Sequence, residues 1–532
     1  MPSRRSERRP EFADAPEQLD VEQEHYVQGV AKRLAEQFFY HPERTGQELR
    51  NHHRNHHDVT QRQDYIAGLV TFLECVKEAD PNSKTQWEGM FDGGLVQALL
   101  DVALDKDIYR LMHVDGSATR YVTGVYSCLS WMKHAPWARQ ALRTFPKLWA
   151  LLLQLRELVT FGCDDDGFMV LDPKSQAGKQ GEELRDVLCE LLMSHMMLSR
   201  KEEDCMPTLR NGDIGLVVLL TSTCGAYIRN ARPKILCMLQ NIITEGPDTG
   251  LHSYLDNASA RHALIPTRFI GNMVDLLLDD ELLNVELCGT LKILSRFFEY
   301  PALKAARAGE SDFPLAILAA AQRQVCSGAS EEWIWDALHL TFLHVMDIIL
   351  DDEGALARSL TRDFSHPLVM LTARALCPAA MDASNKFDAF DRIMLILTSQ
   401  AALVDEPALP QVATVAFRTS VQQVWHRAHA NLVALPAARA LRKDEVLQLW
   451  RALGAKCGVD LNAPYVPPAP SERGAEVWTK EKGCAWRECL CFGERPNHKL
   501  RKCTRCEQVM YCSTKCQKQD WNQGGHKHVC RR

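Results

Sequence analysis

Eight of the chain's nineteen cysteines lie between Cys484 and Cys530, at Cys484, Cys489, Cys491, Cys503, Cys506, Cys512, Cys516 and Cys530, with His526 and His528 beside the last. Their spacing constrains this stretch more than any other feature constrains the chain. Cys503-x2-Cys506 is a chelating knuckle. Cys512-x3-Cys516 sets two thiolates one helical turn apart, and His526-x3-Cys530 does the same with an imidazole and a thiolate. Structural zinc asks for four soft or borderline donors at tetrahedral geometry, delivered by short loops or one turn of helix. Seven cysteines and one histidine fill two such sites. Size gives the reason: about fifty residues cannot bury enough apolar surface to offset chain entropy without a staple. Metal binding supplies it and is then coupled to folding. A disulfide scaffold is the competing reading. Pairs separated by two or three residues favour metal over disulfide geometry. The first ten residues, MPSRRSERRP, also lack the apolar stretch of a secretory leader.

The residues that follow this spacing resemble a known family, the MYND zinc finger. The matching stretches are Cys503-Thr-Arg-Cys506, Val509-Met-Tyr511-Cys512-Ser-Thr-Lys-Cys516-Gln517, Asp520-Trp521 and His526-Lys-His-Val-Cys530. The resemblance implies two zinc ions held by interleaved ligands. Cys512 and Cys516 join an opening cysteine pair at the first site, and Cys503, Cys506, His526 and Cys530 form the second. The family's commonest opening pair is Cys-x2-Cys. Here Cys484-Ala-Trp-Arg-Glu-Cys489-Leu-Cys491 offers three cysteines for two places. Cys484 with Cys489 gives an x4 pair enclosing Trp486, a variant that some members of the family use. Cys489 with Cys491 is too short to chelate comfortably, so Cys491 stays in reserve. The family spacing also prefers His526 to His528. Ser513 is placed to cap a short helix running to about Gln523, ended by Gly524-Gly525. Trp521 and Val529 are expected in the small apolar core. Tyr511 and Gln517 occupy positions where the family presents a groove for short Pro-containing peptides, so each is weighed between partner contact and packing.

From Cys484 to Arg532 there are eleven Lys and Arg against four Asp and Glu, a formal +7. Two zinc ions and seven thiolates bring the loaded finger to about +4. The whole chain carries −6, so the remainder is near −13. A basic finger is compatible with nucleic acid, but no base-reading helix of the kind found in Cys2His2 fingers is present. The Lys and Arg read better as solvating side chains that offset thiolate charge.

The body is helical by pattern. Between Val21 and Asp460 apolar residues recur at i, i+3, i+4 and i+7 in segment after segment. The segments include Tyr65–Val76, Tyr121–Met132, Leu184–Met197, Ile214–Cys224, Ile235–Ile243, Phe269–Leu278 and Leu282–Phe298. Further along come Leu315–Val325, Trp333–Leu350, Pro367–Leu376, Phe387–Leu397, Val412–Leu432 and Val446–Leu453. Helices of this length joined by short turns stack into a right-handed solenoid, and Leu282–Leu294 is similar to the central helix of an armadillo or HEAT repeat. The period is too irregular to count repeats, and an irregular all-α domain is the other architecture. The expected organisation is therefore a disordered tail at 1–20, an all-α helical-repeat-like domain at 21–460, a Pro-containing linker at 461–480 and the finger at 484–530. The linker is expected to be a semi-stiff tether from which the finger hangs. No apolar run approaches the roughly 18 residues of a membrane span, and the scattered cysteines before residue 470 suit a reducing compartment.

Other candidate sites are weak. His52 with His56, and His53 with His57, stand one turn apart, but no thiolate or carboxylate partner is near in sequence. Asp164–Asp166 and Asp279–Glu281 lack the EF-hand pattern, and no phosphate-binding or nucleophile-elbow motif occurs. The resemblance also raises the lysine methyltransferases that contain such fingers. The helical pattern, the lack of a SET-type cofactor motif and the finger's position beside Arg531-Arg532 argue against that class. The expectation is a non-enzymatic, intracellular adaptor, in cytoplasm or nucleus. It would bind protein partners through finger and body, and the resemblance leaves both transcriptional regulation and ubiquitin-ligase assembly open.

Overall fold

The computed structural model describes chiefly residues 21–41, 94–104, 138–154, 176–201, 212–224, 232–245, 248–327, 331–351, 362–403, 411–463, part of 483–489 and 500–530. The expected helices at Tyr65–Val76 and Tyr121–Met132, the paired histidines 52–57, the tail 1–20, most of the linker, and Cys491 lie outside these residues. The described residues are mostly helical, and the chain divides into two compact units, 1–235 and 236–532. The sequence pattern drew no boundary at 235, because the helical periodicity runs straight through it.

In the first unit the described helices are α1 (Val21–Tyr40), α2 (Leu95–Ala103), α3 (Ala138–Gln154), α4 (Gln176–Lys201) and α5 (Asp213–Cys224). Helix α3 is the hub, packed by α2, α4 and α5. It buries Phe145, Leu148, Trp149 and Leu152. The Trp149 indole donates to Nδ1 of His195 on α4 at 3.4 Å.

Helix α6 (Arg232–Thr244) leads to α7 (Asp248–Ala260), α8 (Pro266–Leu278), α9 (Asn284–Phe297), α10 (Pro301–Gly309), α11 (Phe313–Ser327) and α12 (Glu331–Asp351). After these come α13 (Arg362–Met381), α14 (Phe387–Leu403), α15 (Gln411–Val433) and α16 (Lys443–Lys456). Two layers emerge from the packing. Helices α8, α11, α13 and α15 stack in one, and α9, α12, α14 and α16 in the other. The pairs α11/α12, α13/α14 and α15/α16 are hairpins that also touch within themselves. The result is a mainly α body with repeat-like stacking. Apolar side chains of α11 to α16 form one continuous core, because each hairpin buries one face of its helices on the hairpin before it and another on the hairpin after.

Polar joints tie the helices together. On α12, His344 Nε2 sits 2.8 Å from the Leu291 carbonyl and 3.1 Å from Ser295 Oγ of α9. Asp351 at the end of α12 pairs with Arg307 and, at 2.7 Å, with Lys304, both on α10. On α15 and α16, the Trp425 indole donates to the Trp450 carbonyl at 3.0 Å and the Trp450 indole to the Trp425 carbonyl at 3.3 Å. The Trp425 ring lies so close to Gly454 that a Cβ there would strike it. The acidic run Asp279–Glu281 is a helix-end turn, with Asp279 Oδ1 accepting from the Glu281 N–H at 2.9 Å.

Among the described residues, one helix is long and apolar enough to cross a membrane. Residues Glu332–Asp351 have a mean hydropathy of 1.3, although no unbroken apolar run exists there. Most of that window is buried inside the fold, with Leu338, Phe342, Val345 and Met346 in the continuous core, so α12 reads as a core helix.

Candidate metal centre

The finger is built from very short elements. Strands β1 (Arg501–Lys502) and β2 (Met510–Tyr511) pair antiparallel, with Arg501 opposite Tyr511 and Lys502 opposite Met510. Helix α17 (Thr514–Gln519) follows, then a widened π-type turn at Asp520–Gly524, then the single turn α18 (His526–Val529). Ala485 N–H donates to the Met510 carbonyl at 2.7 Å, which lays the opening segment along β2.

The knuckle is held by its own backbone. Cys503 N–H donates to Val509 O at 2.8 Å, and Glu507 N–H returns to Cys503 O at 2.9 Å. Glu507 adopts φ of 54°, the left-handed conformation that closes the loop. Ser513 caps α17 as its sequence position predicts, its side chain accepting from Cys516 N–H at 3.2 Å. The helix ends at Gln519, short of Gln523, where the widened turn takes over. Gly524 is needed for a different reason from the one expected. It is not in the left-handed region; a Cβ there would collide with the Asp520 carboxylate.

Two groups of donor atoms result. The donor atoms of Cys503, Cys506, His526 and Cys530 all lie within 4.8 Å of one another. Cys503 Sγ is 3.9 Å from Cys530 Sγ and 3.4 Å from His526 Nε2, and Cys506 Sγ is 3.7 Å from the same nitrogen. A tetrahedron with Zn–S near 2.3 Å has edges of about 3.8 Å, so these separations suit a zinc ion at the centre. Burial pushes the Cys503 thiol up. The backbone N–H groups of Cys506 and Arg505, with His526, outweigh it and bring the thiol down to about 6. Cys530 moves the other way, to about 11, through burial and the neighbouring Cys506 and Cys503. Thiols this close share a limited number of negative charges, which a bound cation balances.

The second group gathers Cys484, Cys489 and Cys516 within 4.8 Å. Cys512 adjoins it: its Sγ is 3.6 Å from that of Cys489, and its N–H points at Cys484 Sγ at 3.5 Å. Hydrogen bonds with Cys484, Cys489 and Cys512 hold the Cys516 thiol far below the ordinary thiol range. Of the eight residues named from spacing and resemblance, Cys503, Cys506, His526 and Cys530 lie in one group and Cys484, Cys489 and Cys516 in another, with Cys512 beside Cys489. The structure also adds one that the spacing could not reveal. Cys326, on α11, is buried with Sγ within 4.8 Å of the sulfurs of Cys489 and Cys512.

The finger does not hang from the body on a tether. Helix α17 packs against α11, Cys326 shares one buried cluster with the finger's cysteines, Trp486 and Tyr511, and Arg427 on α15 donates to the Cys489 carbonyl at 3.4 Å. Tyr511 is a packing residue. Only 1% exposed, it donates its hydroxyl to Asp520 Oδ2 at 2.9 Å, and burial and that carboxylate push its pKa up. Gln517 is half-buried, with its amide 3.8 Å from Cys503 Sγ. Trp521 is half-buried too, its ring edge-on to His526 and faced by the Arg505 guanidinium at 5.9 Å.

Among known protein families, residues 484–530 match the MYND finger. No curated protein and no solved structure matches the chain. The C-terminal segment is a MYND finger, a zinc-binding interaction module, and the rest of the chain stands on its own physical description.

Proposed function

We propose that this chain, whose premise is the MYND finger at residues 484–530, is an adaptor that holds two zinc ions and presents peptide-binding and helical surfaces to protein partners. The observation that carries this reading is the gathering, inside so short a segment, of the four donors Cys503, Cys506, His526 and Cys530 and of the thiols Cys484, Cys489 and Cys516 with Cys512 beside Cys489. Cys484, Cys489, Cys512 and Cys516 would hold one ion, and Cys503, Cys506, His526 and Cys530 the other. Bound zinc supplies structural charge neutralisation and cross-linking here. Four protein donors at each ion leave no position for a reacting water, so neither site is built for catalysis.

The partner class we favour is a short Pro-containing peptide. The half-exposed Trp521, faced by Arg505, offers the aromatic platform on which an extended proline segment packs. Tyr511 supports that face from inside and does not touch the peptide. The setting we favour is intracellular, in transcriptional regulation or ubiquitin-ligase assembly, where short-motif capture by a scaffold is the needed chemistry.

Two measurements on the full chain test the proposal in sequence. Native mass spectrometry should count two zinc ions per chain. Fluorescence anisotropy against a panel of Pro-containing peptides should then find saturable binders, weakened about tenfold by Trp521→Ala, the loss of one aromatic anchor worth about 1.4 kcal/mol. A panel without a saturable binder would remove the peptide reading and leave the zinc reading standing.

A further inference from the structure

Five thiols meet where the MYND pattern supplies four. Cys489 belongs to both groups of sulfurs, one with Cys484 and Cys516, the other with Cys326 and Cys512. Cys516 reaches Cys484, Cys489 and Cys512. Cys489 and Cys512 thus neighbour both Cys326 and Cys484, while Cys516 is grouped with Cys484 and Cys489. The body residue is held in place. Cys326 closes the buried end of α11, which packs on α17, and Arg427 of α15 grips the Cys489 carbonyl from the same body.

Resting on the two-zinc reading above, we propose that Cys326 is a fifth thiol of the first zinc centre and can take the place of Cys484 in holding the ion. The exchange balances: Cys326 gives its S–H proton to solvent as it ligates, and Cys484 takes one up as it leaves. Ligand number and charge do not change. With Cys326 in place, the ion joins the helical body to the finger directly. With Cys484 in place, the finger is joined to α11 by packing alone.

The experiment is zinc counting by native mass spectrometry on the full chain and on Cys326→Ser, Cys484→Ser and the double variant. The expected counts are two, two, two and one. The ion left in the double variant, held by Cys503, Cys506, His526 and Cys530, reports that the finger is still folded. Cobalt reconstitution gives a second readout, since thiolate-to-cobalt absorption should be unchanged in Cys484→Ser and should fall in the double variant. One zinc in Cys484→Ser beside two in the unaltered chain would overturn the exchange, as would two zinc ions in the double variant. One zinc in Cys326→Ser would also overturn it, by making that thiol obligatory. Fewer than two in the unaltered chain would sink the two-zinc reading first, a separate failure visible before any variant is made.

Discussion

Cys506 is only half-buried, yet its sulfur completes the donor group around His526. Cys506→Ala should cost the chain one zinc and unfold the part of the finger between the knuckle and α18, because the remaining three donors cannot close a structural site. Cys491→Ser should leave both ions bound, since the opening segment places Cys489 among the sulfurs. Native mass spectra of the two variants check both statements, and a lost ion in Cys491→Ser would shift the opening pair. Tyr511→Phe is a subtler case. It leaves the buried Asp520 carboxylate without the phenol donor, at about 1–3 kcal/mol, readable as faster amide exchange in α17 at unchanged zinc content. The candidate donors were legible because chelation imposes local spacing, two residues at a turn and three at a helical step. Cys326 was not, because its proximity comes from the packing of α11 and nothing near it in sequence marks it. Tyr511 was legible only as a choice between surface and core, and its partner Asp520 decides that choice.

Buried polar joints set the pH response of the helices. Burial holds His344 down to about 4, and the hydrogen bond to the Leu291 carbonyl only partly offsets it. In the folded state Nε2–H faces that carbonyl, and Nδ1 has no hydrogen-bond partner, so a second proton would sit on a dry nitrogen. The unfolded chain binds that proton near 6.5. Stability from this residue is therefore complete above pH 6.5 and is lost as pH falls toward 4, by on the order of 3 kcal/mol. Denaturant titrations of the full chain from pH 7 to 4 should show the slope, and His344→Gln should flatten it. A second joint is steric. Gly454→Ala drives a methyl into the Trp425 ring, which the reciprocal bonds with Trp450 keep from moving. The expected cost is about 1–3 kcal/mol in thermal or denaturant unfolding. Helices such as α9 and α16 were legible from apolar periodicity, with ends within about three residues, whereas α14 runs on to Leu403, past the expected Leu397. Helices α7 and α10 were passed over because DTGLHSYLDNASA and PALKAARAG are too polar or too short to show an apolar stripe. Their start signals were nonetheless present in α10, where Pro301 stands at the first helical position. Helix α13 begins five residues before Pro367, so a proline read as a start lies inside it.

In the unit formed by residues 236–532, the stacked hairpins and the finger share one packed structure, and this has a thermodynamic consequence. The apolar pattern along α8 to α16 made a stacked helical body legible, because each amphipathic helix must find a neighbour. A docked finger was not legible, since a Pro-containing linker looks like a spacer and the docking residues Cys326 and Arg427 carry no local signature. Docking couples metal binding to the exchange of body amides. Removing zinc with a strong chelator should unfold the finger and uncover the C-terminal end of α11 and the part of α15 around Arg427. Hydrogen exchange of the full chain, with and without chelator, should therefore accelerate in those two segments along with residues 484–530. Helices α8 and α9, which among the described residues contribute nothing to the finger's buried cluster, should keep their protection. Unchanged exchange at α11 and α15 after both ions are gone would mean that the finger merely rests on the body. Acceleration confined to those helices would instead make zinc occupancy a determinant of which body surface is open to partners, since the same chelation both empties the finger and bares the face it covers.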